Sequence, residues 1–285
     1  MTEVYKTYKI LINGQLVRSE SNRTYKVFDS SGKFIANVPR CTKKDLRDAV
    51  RVAKNALQTW ENKSPYNRGQ IIYRMAEETE NRKYELANEL KKHGVKNHSE
   101  EVQKVIDRLI HYAGWADKYS HILGTVNSVS TPFINYSVPE PVGVVCCITP
   151  SNPPLLSFIT QVIPTITVGN VVVSVLSDNP LPVLTFSEII LASDVPPGVI
   201  NILTQTNNEL IDHLSKHMDI DLIHFIGSDK EIIDKIVQGG SLNLKRIKVD
   251  NLSYEDFFED SKSEGISWIE KFLEIKTMWV PGVGN

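Results

Sequence analysis

The sequence predicts an α/β fold built on a mainly parallel sheet, preceded by a smaller region of short strands and helices. Three observations predict it. Five short apolar runs of strand length recur between residues 142 and 249. Segments with helical periodicity separate them. Turn signals and shorter β-prone stretches crowd residues 8–38.

Ile10-Leu11-Ile12 runs into Asn13-Gly14, a strong hairpin signal. A second turn is expected at Ser30-Ser31-Gly32-Lys33. Thr42 is a good N-cap, and Asp45 three residues on gives a capping box with Asp in place of Glu. The helix that follows places Leu46, Val50, Ala53 and Leu57 on one face. Pro65 is placed to start a second helix, running towards Leu90 and ended by His93-Gly94. Ser99-Glu100-Glu101-Val102 opens a third, with Val105, Leu109 and Tyr112 aligned. Residues 125–140 alternate between β-prone and polar types, bounded by Pro132 and Pro139.

From Val142 the pattern changes. Continuous apolar runs appear at 142–148, 171–175, 199–203, 222–226 and 246–249. Helical segments separate them around 154–167, 182–193, 207–216 and 229–238. Apolar strands alternating with helices require cover on both faces, which predicts a Rossmann-like, mainly parallel sheet. Residues 251–264 hold Glu255, Asp256, Glu259, Asp260 and Glu264 and read as a solvated acidic connector with a helical turn at Phe257-Phe258. Trp268, Ile269, Phe272 and Leu273 follow with amphipathic helix spacing. Ile275 to Val280 forms a last strand, stopped by Pro281-Gly282. There is no internal repeat.

At 285 residues, 41% hydrophobic and 23% charged, the chain has the composition of an ordinary soluble globular protein. A net charge of -2 gives no global reason to expect nucleic acid or an anionic membrane as partner. Cys41, Cys146 and Cys147 form neither a zinc spacing nor a C-x-x-C pair, so no metal site is read. Adjacent Cys146 and Cys147 on a strand point to opposite faces, which disfavours a disulfide between them. Free thiols fit a reducing cytoplasm. Residues 1–6 lack an apolar signal core and no stretch is long and apolar enough to span a bilayer, so a cytoplasmic location is expected.

Four runs carry a family resemblance. They are Tyr112-Ala113-Gly114-Trp115-Ala116-Asp117-Lys118, Val138-Pro139-Glu140-Pro141-Val142-Gly143-Val144-Val145, Pro196-Pro197-Gly198-Val199-Ile200-Asn201-Ile202 and Ile275-Lys276-Thr277-Met278-Trp279-Val280. Each resembles the aldehyde dehydrogenase superfamily, and together they span nearly the whole chain in the right order. The resemblance implies an NAD(P)-binding-type domain from residues 1–121 and 142–250, and an oligomerisation arm from 122–141 and 274–285. Residues 251–273, the acidic connector and short helix, stand where the family carries its catalytic domain. The family's activity is NAD(P)-dependent oxidation of aldehydes through a cysteine thiohemiacetal.

Fold does not carry function, so each position is weighed by itself. No cysteine follows Asp250 to act as nucleophile, and Cys146 and Cys147 read as packing inside a buried strand. The family's general-base glutamate lies in Leu-Glu-Leu-Gly-Gly. Here the run is Val249-Asp250-Asn251-Leu252-Ser253, so Asp250 keeps a carboxylate on an arm one methylene shorter and both glycines are gone. The family's Trp-Asn-Phe-Pro reads Ser151-Asn152-Pro153-Pro154. Asn152 is either an oxyanion donor or an N-cap before the Pro-started helix.

The cofactor positions are altered. Asp178 stands where the family's acid meets the adenosine ribose, but the lysine position reads Val175. Phe225-Ile226-Gly227-Ser228 matches a helix start that holds a diphosphate on free N–H groups, with Gly227 and Ser228 as the contact residues. Asp229 and Glu231 place two carboxylates in the first turn, and Ile232 replaces a family glycine. NAD or NADP is therefore expected to bind weakly or not at all.

Both pieces of the arm are kept, and an open sheet edge calls for cover. The expectation is a catalytically incomplete, aldehyde-dehydrogenase-like subunit that adds its strand to a full-length aldehyde dehydrogenase or another oligomer partner. The alternatives are an NAD(P)-dependent oxidoreductase acting on aldehydes, completed by a partner subunit or by Cys146 or Cys147, and a module that senses NAD without turning it over. The arm can also fold back on its own domain, or copies can pair edge to edge.

Overall fold

The structure, a computed structural model, describes residues 7–29, 31–130 and 132–281. The expected turn residue Ser30, residues 1–6 and the strand stop at Gly282 lie outside these residues, as do Thr131 and 282–285 of the arm.

Strands β1 (Ile10–Ile12) and β2 (Gln15–Val17) form the hairpin, with Asn13 and Gly14 both at positive φ, as a tight two-residue turn requires. They join the main sheet because β1 pairs with a later strand. Strands β3 (Thr24–Phe28) and β4 (Phe34–Pro39) make a separate ladder. Helix α1 (Lys43–Glu61) starts at the expected capping box, with both Thr42 and Asp45 bonded back to backbone N–H groups. The second helix splits into α2 (Pro65–Asn81) and α3 (Lys83–Lys92). At the break, Arg82 leaves helical geometry and bonds both Glu85 and Glu188 of a distant helix. Helices α4 (His98–Trp115) and α5 (Tyr119–Leu123) follow.

Strands β5 (Thr125–Asn127) and β6 (Phe133–Pro141) lead into β7 (Val144–Thr149), α6 (Pro154–Thr167), β8 (Val171–Leu176), α7 (Leu181–Ala192), β9 (Ile200–Thr204), α8 (Ile211–Lys216), β10 (Leu222–Ile226), α9 (Lys230–Gly240) and β11 (Arg246–Asp250). Helix α8 starts later than its apolar pattern suggests. Asn207 and Asn208 both adopt left-handed backbone angles and cannot continue a right-handed turn. The seven-stranded sheet has the order β11-β10-β7-β8-β9-β1-β2. Its five crossover strands, β7 to β11, are parallel, with β11 at one edge, and β7 to β10 are buried along their whole length. This is the mixed α/β, mainly parallel architecture.

The chain ends in α10 (Asp260–Ser263), α11 (Ile266–Glu270) and β12 (Leu273–Pro281). Strand β12 pairs with β6 over nine positions, from Leu273↔Pro141 to Pro281↔Phe133, giving a ribbon β12-β6-β5 separate from the main sheet. The segment before β12 is not a solvated connector. The carboxylates of Glu255, Glu259 and Asp260 face outward, but Phe257, Trp268, Ile269 and Phe272 are buried. Each such side chain contributes about 1.5–3 kcal/mol through burial. Arg108 of α4, 1% exposed, donates to Thr160 on α6, to the Phe257 carbonyl and to Ser263 Oγ, and lies 3.6 Å from Glu264. Lys104 pairs with Asp260 at 2.8 Å. The segment is thus clamped to α4 and α6.

Candidate functional site

The candidate residues share one end of the sheet. Asn152 follows β7, Asp178 follows β8, Gly227 and Ser228 follow β10, and Asp250 ends β11. Strands β8, β7, β10 and β11 are neighbours in parallel, so all four groups lie along the carboxyl edge, where open α/β sheets bind ligands. The topology therefore gathers what the sequence spreads over a hundred positions.

The chemistry at that edge is largely self-satisfied. Asp250 Oδ2 accepts from Lys271 Nζ at 2.6 Å and bonds His224 Nε2 at 2.8 Å. Burial alone would raise its carboxyl, but these two bonds hold it down at about 2. A carboxylate of such low proton affinity is a poor general base near neutral pH. His224 is fully buried on β10, and burial pushes its imidazole below the usual range despite Asp250. The ring therefore donates from Nε2, while Nδ1 has no hydrogen-bond partner among the described residues. The Lys271 ammonium sits 3.4 Å above the Trp268 ring, and the His224 ring packs edge-on against Trp268 and Phe272.

Asn152 is exposed, and it is not the cap of α6. Pro153 occupies the cap position and offers no side-chain bond. Glu101 of α4 supplies the missing acceptor. Its Oε1 takes the N–H groups of Leu155 at 2.8 Å and Leu156 at 3.0 Å. Glu101 is fully buried, its Oε2 has no partner among the described residues, and burial raises its carboxyl to about 7. The sequence marked Glu101 only as part of a helix start. Its acidic neighbour Glu100 is exposed, and only the tertiary fold tells the two apart.

Of the nucleotide-type positions, the start of α9 is capped by the chain itself. Asp229 Oδ1 accepts from Glu231 N at 2.9 Å and Ile232 N at 3.3 Å. It caps α9 and fills the place a diphosphate oxygen would take at those N–H groups. A Cβ on Gly227 would lie 2.6 Å from Phe225 Cζ, so a ring rather than a ligand accounts for this glycine. Val175 is fully buried in β8 and offers no charge. Asp178 is exposed on the loop before Asn179. A dinucleotide held in the family's manner does not fit this set of groups.

Cys146 and Cys147 lie side by side in β7 with no exposure. Burial raises the Cys146 thiol to about 12 and that of Cys147 well above its ordinary value. Thiols so weakly acidic supply almost no thiolate. A groove of 910 Å³ runs between α2 and α4, lined by Tyr66, Arg74, Ile110 and Asp117, away from the carboxyl edge. Among the described residues there is no cluster of His, Cys, Asp and Glu that would hold a metal ion, and no helix is long and apolar enough to cross a membrane.

Comparison with known proteins fits this architecture. The profile of the Aldehyde dehydrogenase family matches residues 16–251. The mitochondrial aldehyde dehydrogenase of Rattus norvegicus is 33% identical over 253 residues, covering 85% of this chain and 48% of that protein. Retinal dehydrogenase 2 of Gallus gallus is 32% identical over 256 residues, covering 86% and 48%. The crystal structure of PnpE from Pseudomonas sp. WBC-3 superposes with a TM-score of 0.81 at 28% identity, over 86% of this chain and 50% of that one. A second structure is of PnpE in complex with nicotinamide adenine dinucleotide, again at TM-score 0.81 and 28% identity, over 85% and 50%. The chain spans about half the length of the curated relatives it matches. With its profile, its relatives and its NAD-binding-type sheet in agreement, the chain belongs to the aldehyde dehydrogenase family.

Proposed function

We propose that this chain is an aldehyde-dehydrogenase-like subunit, catalytically incomplete by itself, that associates with a full-length aldehyde dehydrogenase and supports it. The observation that carries this reading is the contrast between a closed site and an open arm. Asp250 is consumed by Lys271 and His224, Asp229 caps its own helix, and the strand thiols are buried. Strand β12, by contrast, has a single neighbour among the described residues, β6, and leaves its other edge open. A sheet edge in a complete dehydrogenase is the kind of surface such a strand extends. NAD or NADP is held weakly or not at all, and the three buried free thiols suit a reducing, cytoplasmic setting.

The test is co-expression with a complete aldehyde dehydrogenase of the same organism, followed by size-exclusion chromatography. Co-elution in fixed proportion, lost on placing Pro at Thr277 in β12, supports the reading. Separate elution at micromolar concentration counts against it.

A further inference from the structure

We infer that the open edge of β12 is self-complementary, and that two copies of the isolated chain join there as an antiparallel, two-fold symmetric pair. This does not rest on the proposed function; a complete dehydrogenase would compete for the same edge.

The ribbon β5-β6-β12 sorts its side chains by parity. One face carries Asn127, Asn135, Ser137 and Thr277, joined by hydrogen bonds from Asn127 to Ser137 at 2.9 Å and between Ser137 and Thr277 at 2.8 Å, with Ile275 and Trp279 flanking Thr277 on the same face. The opposite face carries Val126, Ile134, Tyr136, Met278 and Val280 at its far end, paired as Val126↔Tyr136, Met278↔Tyr136 and Val280↔Ile134, and Glu140, Glu274 and Lys276 at its near end. Val126 is 83% exposed and Ile134 55%, so this apolar face is uncovered in the single chain. A long, exposed, partly apolar edge strand is a template for pairing.

Only some registers keep like faces together. A two-fold axis normal to the sheet opposes residues of the same parity, so the axis must pass through a residue. Through Lys276 it sets two like charges opposite each other, which is unfavourable. Through Ile275 or Met278 it leaves part of the strand unmatched. Through Thr277 all nine positions of β12 are matched. Thr277 then faces its own copy, and Ile275 faces Trp279, 56% and 60% exposed in the single chain. Thr–Thr and aromatic–β-branched pairs are the favourable cross-strand types. Lys276, opposite Met278, keeps its pairing with Glu140 at 3.1 Å within its own ribbon. The product is a six-stranded sheet that merges the two apolar faces.

The register is tested by Thr277→Cys. Opposed residues have Cα atoms about 4.5–5.5 Å apart, inside the range a disulfide bridges. Cys41, Cys146 and Cys147 are buried and do not compete. Mild oxidation of the isolated variant is expected to give a covalent dimer, whereas Val126→Cys on the far strand remains monomeric. Sedimentation of the unmodified chain at micromolar concentration is expected to show a dimer, and Ile275→Lys is expected to weaken it about tenfold or more while leaving the thermal transition in place. A monomer by sedimentation, or equal cross-linking of the two cysteine variants, overturns the inference. The oxidation result decides the matter even where the lysine variant folds poorly.

Discussion

Lys271 holds Asp250 by a 2.6 Å ion pair while its ammonium lies over the Trp268 ring, so one side chain ties the last strand of the main sheet to the segment before β12. Loss of that ammonium leaves a partly buried carboxylate with His224 alone. Lys271→Met is expected to lower stability by about 1–3 kcal/mol, read from the urea midpoint at constant m-value. An unchanged midpoint would mean that the segment is held without this pair.

The same pair predicts an acid response. The Asp250 carboxyl stands at about 2 in the folded chain against 3.8 as its ordinary value. The folded state therefore binds this proton less readily than the unfolded one. Its contribution, about 2 kcal/mol, is complete well above pH 4 and is lost as pH falls towards 2. In Asp250→Asn the acid limb of the stability curve is expected to flatten over that window, as followed by circular dichroism in an acid titration.

Glu101 has the opposite sign. Its carboxyl is raised from 4.5 to about 7, so the folded state prefers it protonated. That preference stabilises the fold at low pH and is lost as pH rises from about 4.5 through 7. Glu101→Gln is expected to remove this downward slope between pH 5 and 8 in thermal melts. Glu101→Ala, which deletes the acceptor for Leu155 and Leu156 along with the titrating group, is expected to lose the slope as well and to cost about 1–2 kcal/mol near pH 5. A slope that survives in Glu101→Gln would assign it to another group.

Arg108 is the clamp between α4, α6 and the segment that precedes β12. Arg108→Met removes the donor to Phe257 and Ser263 and is expected to cost about 2–4 kcal/mol. Limited proteolysis should then cut first between residues 255 and 265, where the wild-type chain is expected to resist. Equal resistance in the variant would show that burial of Phe257 and Trp268 is sufficient by itself.

How much of this was legible in the sequence follows from range. The sheet was, because each strand is a local apolar run bounded by turn residues, and the capping box at Thr42 and Asp45 is local too. The delayed start of α8 was not, because Asn207 and Asn208 adopt left-handed angles that composition permits but does not require. The helical turn at Phe257-Phe258 and the amphipathic spacing at Trp268 and Ile269 were legible, but the burial of Phe257 was not, because carboxylates crowd residues 255–264 around it. At the site, the resemblance picked out Asn152, Asp178, Gly227 and Asp250 one at a time, and it is the strand order that sets them along one sheet edge. It did not reveal that Glu101 caps α6 from 54 positions away, or that Lys271 reaches back 21 positions to Asp250. Charged residues on helices ordinarily face water, so Glu101 and Arg108 carried no local sign of burial.

The claim on which the rest turns is that the chain does not oxidise aldehydes by itself. The direct measurement is NADH formation by the purified, isolated chain with NAD and a panel of aldehydes, followed by absorbance at increasing protein concentration. The account predicts no rate above the protein-free background, and no change in Cys146→Ala or Cys147→Ala. Sustained turnover that rises in proportion to the amount of chain would contradict it.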